Sequence, residues 1–129
     1  MKEKHLLVMI DDDTEDHEIF KIAVSEIEMP LKLLFFSSCE EALAHFQQPG
    51  AVAPGFVFID LNLPRISGEE CLQRLHELSE FDHPRIIVYS SSIPTDWHGK
   101  LEAIGVDQFL EKSGSIQALT DELKKLLES

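Results

Sequence analysis

The chain alternates short apolar runs with longer segments in which apolar residues recur every three or four positions. Short runs rich in Leu, Ile, Val and Phe are typical of buried strands, and the longer spacing is typical of amphipathic helices. Five strands are predicted, at residues 6–10, 31–37, 56–60, 85–91 and 106–112. Five helices are predicted in turn, at residues 14–28, 38–48, 68–78, within 95–105, and at 115–127.

Local signals support several of these boundaries. Ser38 followed by Glu41 has the pattern of a capping box, which satisfies backbone N–H groups at a helix start. Gly105 is placed to close the helix within 95–105. The inward faces predicted from helical spacing are Ile19, Ile22, Ala23 and Ile27 in the first helix, and Cys71, Leu72 and Leu75 in the third.

Strict alternation of strand and helix predicts an α/β fold, a parallel five-stranded sheet with helices on both faces. The 129 residues, 43% of them hydrophobic, fit one domain over 1–129 and leave no room for an output domain of ordinary size. In such sheets the ligand site lies outside the carboxyl ends of the strands, where the strand order reverses. The polar residues that follow the strands are therefore the candidates for function.

Six such residues are predicted to meet at this edge. Asp11, Asp12 and Asp13 follow the first strand, Asp60 ends the third, Ser90 ends the fourth, and Lys112 ends the fifth. Several carboxylates at close range raise one another's pKa unless a cation lies among them. Mg²⁺ fits two or three carboxylates plus a backbone carbonyl and keeps open positions for a phosphoryl oxygen. A lone nucleophilic carboxylate beside a metal, a hydroxyl and a lysine is typical of phosphoryl transfer.

The same residues resemble a known family. "IDD" at residues 10–12, "IDLNLPRISG" from residue 59, Ser90 thirty positions after Asp60, and Lys112 a further twenty-two on are similar to the receiver domain of two-component response regulators. The resemblance implies a doubly wound, flavodoxin-like sheet of order 2-1-3-4-5. It implies that Asp60 accepts a phosphoryl group, and that a sensor histidine kinase or phosphotransfer protein donates it.

The resemblance also implies the roles of the surrounding residues. Mg²⁺ would be bound by Asp11, Asp12, Asp60 and the carbonyl of Asn62. Ser90 and Lys112 would contact the phosphoryl oxygens, and Ser90 and Phe109 would act as the conformational switch. Without the resemblance, Phe109 would be interpreted as a residue of the hydrophobic core. A stand-alone receiver would signal through an unknown downstream protein.

Two positions depart from the family pattern. Ser90 replaces the usual Thr and keeps the hydroxyl. Ser113 replaces the proline whose cis peptide normally shapes the loop after the lysine. A non-proline cis bond costs about 3 kcal/mol, so a trans peptide and a strained cis peptide are both open for Lys112–Ser113.

The composition of the chain makes some classes of binding partner and some cellular locations improbable. The net charge of −13 disfavours binding to nucleic acid or to anionic membranes. The first apolar run, residues 6–10, is too short for a signal peptide or a membrane span, so a cytoplasmic location is expected.

Cys39 and Cys71 are far apart in sequence and are expected to be two separate buried thiols. The six histidines lack ligand spacing and are expected at the surface: His5, His17, His45, His76, His83 and His98.

Two other classes stay open. A pseudo-receiver would keep the fold as an interaction scaffold without phosphoryl chemistry, although the full set of edge residues speaks against it. A haloacid-dehalogenase-like hydrolase would use a D-x-D-x-T motif after the first strand. Here Thr14 stands one place too early for Asp11.

Overall fold

The computed structural model describes residues 2–128, and it contains five strands, five α-helices and two 3₁₀ turns in that range. The strands are β1 (Lys2–Ile10), β2 (Lys32–Phe36), β3 (Ala53–Ile59), β4 (Arg85–Ser90) and β5 (Gln108–Glu111). The helices are α1 (Thr14–Ser25), α2 (Cys39–Phe46), α3 (Gly68–Leu75), α4 (His98–Ala103) and α5 (Ile116–Glu128). The 3₁₀ turns are Ser79–Phe81 and Thr95–Trp97.

The strands form one parallel sheet in the order β2-β1-β3-β4-β5. The predicted α/β fold and strand order are therefore confirmed. The order reverses beside β1, which pairs with β2 on one side and β3 on the other. All strands point the same way, so the segments after β1, β3, β4 and β5 meet at one edge.

The core has two layers, one on each face of the sheet. Successive side chains of a strand point to opposite faces. In β1, Val8 and Ile10 pack with α2 and α3, whereas Leu7 and Met9 pack with α1 and α5. Every residue of β3 is buried, as expected for a central strand covered on both sides.

The inward face of α1 differs from the prediction. Ala23 and Ile27 are buried as expected, but Ile22 is 45% exposed and the buried face includes Phe20 and Val24. α1 ends at Ser25 instead of residue 28. The larger Phe20 ring packs against Phe58 of the central strand, with ring centroids 4.8 Å apart, and this contact turns Ile22 toward solvent.

The two cysteines were also predicted wrongly as separate thiols. Cys39 and Cys71 form a disulfide with a Cα–Cα distance of 5.7 Å, although 32 positions separate them in sequence. Their predicted burial is correct, since both are fully buried. Cys39 begins α2 and Cys71 lies in the first turn of α3, and the two helices pack side by side on one face of the sheet.

Candidate functional site

The three aspartates after β1 take three different positions. Asp11 is buried, with 1% of its surface exposed, whereas Asp12 faces solvent. Asp13 is the N-cap of α1, and its side chain accepts the Glu15 N–H at 2.9 Å. The Asp13 N–H donates to Asp11 Oδ1 at 3.0 Å. The helix start therefore orients the buried carboxylate.

His17, one turn into α1, was missed by the sequence reasoning, and its predicted surface position is wrong. The ring is buried and stacks on Phe35 with centroids 4.9 Å apart. Its Nε2–H donates to the backbone carbonyl of Asp11 at 2.7 Å, because a carbonyl oxygen can only accept. The available signal was helical spacing, since His17 stands three positions before the buried Phe20.

Asp60 follows β3 at the centre of the edge and is 7% exposed. Its Oδ1 accepts the Asn62 N–H and the Ser90 hydroxyl, each at 2.9 Å. Ser90 is fully buried at the end of β4. The backbone here is packed closely, since a Cβ on Gly68 would lie 2.3 Å from the Asp60 carbonyl oxygen. Glycine at residue 68 therefore lets α3 begin directly against the aspartate.

Lys112 follows β5 and reaches across the edge to three carboxylates. Its Nζ lies 2.7 Å from Asp11 Oδ2, 2.7 Å from Asp16 Oδ2 and 2.8 Å from Asp60 Oδ2. The contacts with Asp16 and Asp60 are hydrogen bonds, and the contact with Asp11 is an ion pair of the same length. The Lys112–Ser113 peptide is trans, since residues 2–128 contain no cis peptide bond.

The buried charges shift one another's pKa values. Burial raises the pKa of Asp11, and the nearby Lys112 ammonium and the Asp13 N–H offset this only in part. Burial alone would also raise the pKa of Asp60, but hydrogen bonds from Lys112, Asn62 and Ser90 outweigh it and hold that pKa below its usual value. Burial would lower the pKa of Lys112, but its three carboxylate partners raise it well above the usual value. Asp60 is therefore ionised and Lys112 charged at neutral pH.

The residues present fit a hard divalent cation. Carboxylate oxygens of Asp11, Asp12 and Asp60 lie within 4.8 Å of one another. Asp11 Oδ2 is buried and its described partner is the Lys112 ammonium at 2.7 Å, so a cation at the cluster would share this oxygen with the lysine. The donor set is entirely oxygen, as Mg²⁺ prefers. Asn62 is exposed beside Asp60 and directs its N–H to that carboxylate.

Phe109 lies apart from the carboxylates, on β5. It is half-buried, and its ring stacks on His98 of α4 with centroids 4.0 Å apart and planes 4° from parallel. The structure thus brings five of the predicted site residues into one cluster: Asp11, Asp12, Asp60, Ser90 and Lys112. A carboxylate held among a hydroxyl, an amide N–H and an ammonium can act as a nucleophile. The same three donors can then stabilise negative charge on the product.

The family follows from comparison with known proteins. The response regulator receiver domain matches residues 7–124, so this chain belongs to that family, whose members generally signal and are not enzymes. The resemblance stated from the sequence is confirmed, and the hydrolase interpretation is set aside. Within residues 2–128 no helix has both the length and the apolar character needed to cross a membrane.

Similar proteins are found both by sequence and by structure. Hybrid signal transduction histidine kinase D of Dictyostelium discoideum is 21% identical over 124 residues, which is 96% of this chain but 8% of that kinase. The phosphorylated cyanobacterial phytochrome response regulator RcpA is 23% identical, with a TM-score of 0.82 over 96% of this chain and 91% of its own. The Mn²⁺-bound response regulator Rcp1 is 20% identical, with a TM-score of 0.79 over 95% and 91%.

Proposed function

We propose that this receiver domain accepts a phosphoryl group on Asp60 from a phosphohistidine of a sensor kinase or phosphotransfer protein. One observation carries the proposal: the Asp60 carboxylate accepts hydrogen bonds from the Ser90 hydroxyl, the Lys112 ammonium and the Asn62 N–H. An Asp60 oxygen attacks phosphorus, the P–N bond breaks, and its electron pair stays on the imidazole nitrogen. The product is an acyl phosphate on Asp60.

The other residues of the site then stabilise that product. Lys112 and Ser90 redirect their N–H and O–H groups from the Asp60 carboxylate to phosphoryl oxygens, because the acylated oxygen has lost its charge. Asp11, Asp12, Asp60 and the Asn62 carbonyl would hold Mg²⁺, which when bound neutralises phosphoryl charge. His17 holds the Asp11 backbone in place.

Movement of Ser90 toward the phosphoryl group would carry the loop after β4. His98 follows that loop at the start of α4, so its stacking on Phe109 would change with it. The altered surface would then bind a downstream protein, as expected of a switch that biases two packings.

Intact-mass spectrometry after incubation with acetyl phosphate and Mg²⁺ tests the proposal. We expect one phosphoryl adduct on the wild type, none on Asp60→Asn, and an unchanged adduct on Asp96→Asn, which removes an exposed carboxylate elsewhere. An equal adduct on Asp60→Asn would place the acceptor at another residue. A wild type that gains no adduct would favour the scaffold alternative.

A further inference from the structure

The carboxylate of Asp16 belongs to the contacts of Lys112 but not to the metal-compatible cluster. It lies in the first turn of α1, 96 positions from Lys112 in sequence, and accepts an Nζ–H at 2.7 Å. Both side chains are largely buried, with 15% and 11% of their surfaces exposed. A desolvated charge-assisted hydrogen bond of this length is stronger than an ordinary surface ion pair.

Asp16 differs in one respect from the other two partners of Lys112. Asp11 and Asp60 are also members of the Asp11–Asp12–Asp60 cluster, whose oxygens suit a divalent cation. Those two carboxylates must therefore be shared between the lysine and any cation at the site. The Asp16 carboxylate lies outside the cluster, and within residues 2–128 its described partner is Lys112.

We propose that Asp16 is a positioning residue that holds the Lys112 ammonium beside Asp60 while the other carboxylates are shared with a cation. The inference rests on the proposed phosphoacceptor function, because the geometry it preserves is that of Lys112 toward the phosphoryl oxygens. Asp16 itself does not touch the reacting atoms.

Lys112 needs such a partner when a cation shares Asp11 and Asp60, because those two carboxylates are its other described ion-pair partners. Four rotatable bonds separate the ammonium from the backbone, and the peptide that follows is trans, without the proline of related loops. The backbone is fixed at one point, where the Lys112 N–H donates to the Ser90 carbonyl at 2.9 Å. The Tyr89 ring, with its centroid 5.6 Å from Nζ, supports one side of the chain. Asp16 fixes the ammonium from α1.

The plainer explanation for an acid at this position is the helix dipole, which favours carboxylates in any first turn. Glu15 separates the two explanations, because it is in the same turn and carries the same charge. It is exposed, and its described contact is a backbone N–H donated to Asp13, away from the lysine. Glu15→Gln is therefore the matched control for Asp16→Asn.

The first measurement follows Lys112 directly, by ¹H–¹³C NMR of lysine-labelled protein with and without Mg²⁺. The signal is assigned by its loss in Lys112→Gln. A held ammonium gives two distinct Hε resonances, and a freely rotating one gives a single averaged resonance. We expect two in Mg²⁺-loaded wild type and Glu15→Gln, and one in Asp16→Asn. Averaged resonances in the wild type, or two resonances in Asp16→Asn, would overturn the proposal.

The second measurement is the acetyl phosphate reaction at saturating Mg²⁺, resolved into maximum rate and half-saturation concentration. We expect Asp16→Asn to lower the maximum rate about tenfold, less than the ~100-fold of a full 1 Å misplacement because Asp60 still attracts the ammonium. Asp16→Glu should restore part of the rate, and Asp16→Asn should have no further effect in a Lys112→Ala background. An unchanged rate, or an equal loss in Glu15→Gln, would contradict the positioning role.

The two measurements also separate this inference from the proposed function. A wild type that forms no acyl phosphate removes the proposed function. The resonances of Lys112 report the Asp16 contact whether or not phosphorylation occurs.

Discussion

Replacing Lys112 by Met tests whether this one cation balances the buried carboxylates. Methionine is similar in length and apolar, so Lys112→Met keeps most of the packing beside Tyr89 and removes the charge with its hydrogen bonds to Asp16 and Asp60. Three carboxylates that now lie within 2.8 Å of Nζ would face one another without a counterion. Their side chains are only 1%, 15% and 9% exposed, so water replaces the lost partner poorly.

The expected loss of stability follows from this burial. Removing one partner of a buried ion pair costs about 3–5 kcal/mol. We take the lower end, about 3 kcal/mol, because Asp12 and Asp16 leave the site partly open to solvent and carboxylates can also take up protons. With a urea m-value of roughly 2 kcal/mol/M, the midpoint of unfolding should fall by about 1.5 M.

The assay is urea unfolding at pH 7 in EDTA, followed by circular dichroism. Lys100→Met is the control, since Lys100 is 58% exposed and pairs with Glu69 at 3.4 Å, a surface contact that contributes less than about 1 kcal/mol. The difference between Lys112→Met and wild type should shrink as pH falls to 5. In Lys112→Met the buried carboxylates have lost their counterion, which raises their pKa in the folded state. The folded variant then binds more protons than the unfolded chain, so its stability rises as pH falls. A Lys112→Met midpoint equal to that of the wild type would refute the reasoning.

Two further predictions concern the surroundings of the site. Tyr89, the only tyrosine in the sequence, should titrate by ultraviolet absorbance with a pKa of about 12, because burial and then the Asp16 charge disfavour the phenolate; an ordinary pKa near 10 would contradict this. Since the folded chain keeps that proton after the unfolded chain has lost it, stability should fall as pH rises from about 10 toward 12. Reducing Cys39–Cys71, which encloses a separation of 32 positions, should lower the free energy of unfolding by roughly 3–4 kcal/mol, and Cys39→Ser should be insensitive to reductant. A urea midpoint that reductant leaves unchanged in the wild type would contradict the crosslink.

The sheet and its functional edge were predictable because both depend on local order along the chain. Each apolar run ends in a polar residue, and parallel strands bring those ends together whatever the details of packing. Asp60, Ser90 and Lys112 could therefore be placed on one edge of the sheet from the strand pattern, and the order of their strands followed from the family resemblance. Strand ends were less predictable: β3 begins at Ala53, three residues early, because Gly55 lets the backbone of Lys4 approach closely.

Contacts that depend on relative helix placement could not be predicted. Asp16 looks like any first-turn acid, and nothing near it in sequence points to a lysine 96 positions away. Cys39 and Cys71 meet only because α2 and α3 begin side by side, which the spacing of 32 does not show. The inward face of α1 depended on the choice between Ile22 and Phe20, and the larger ring took the core position.

The position of β5 in the sheet has a consequence for folding. β5 is a four-residue edge strand that pairs with β4 alone, yet it precedes the lysine that balances acids in α1 and just after β1 and β3. While β5 is undocked, Asp11, Asp16 and Asp60 lack the Lys112 ammonium as their counterion. Charge attraction therefore favours the docking of β5, and local opening of β5 would be coupled to the protonation of Asp11 and Asp60.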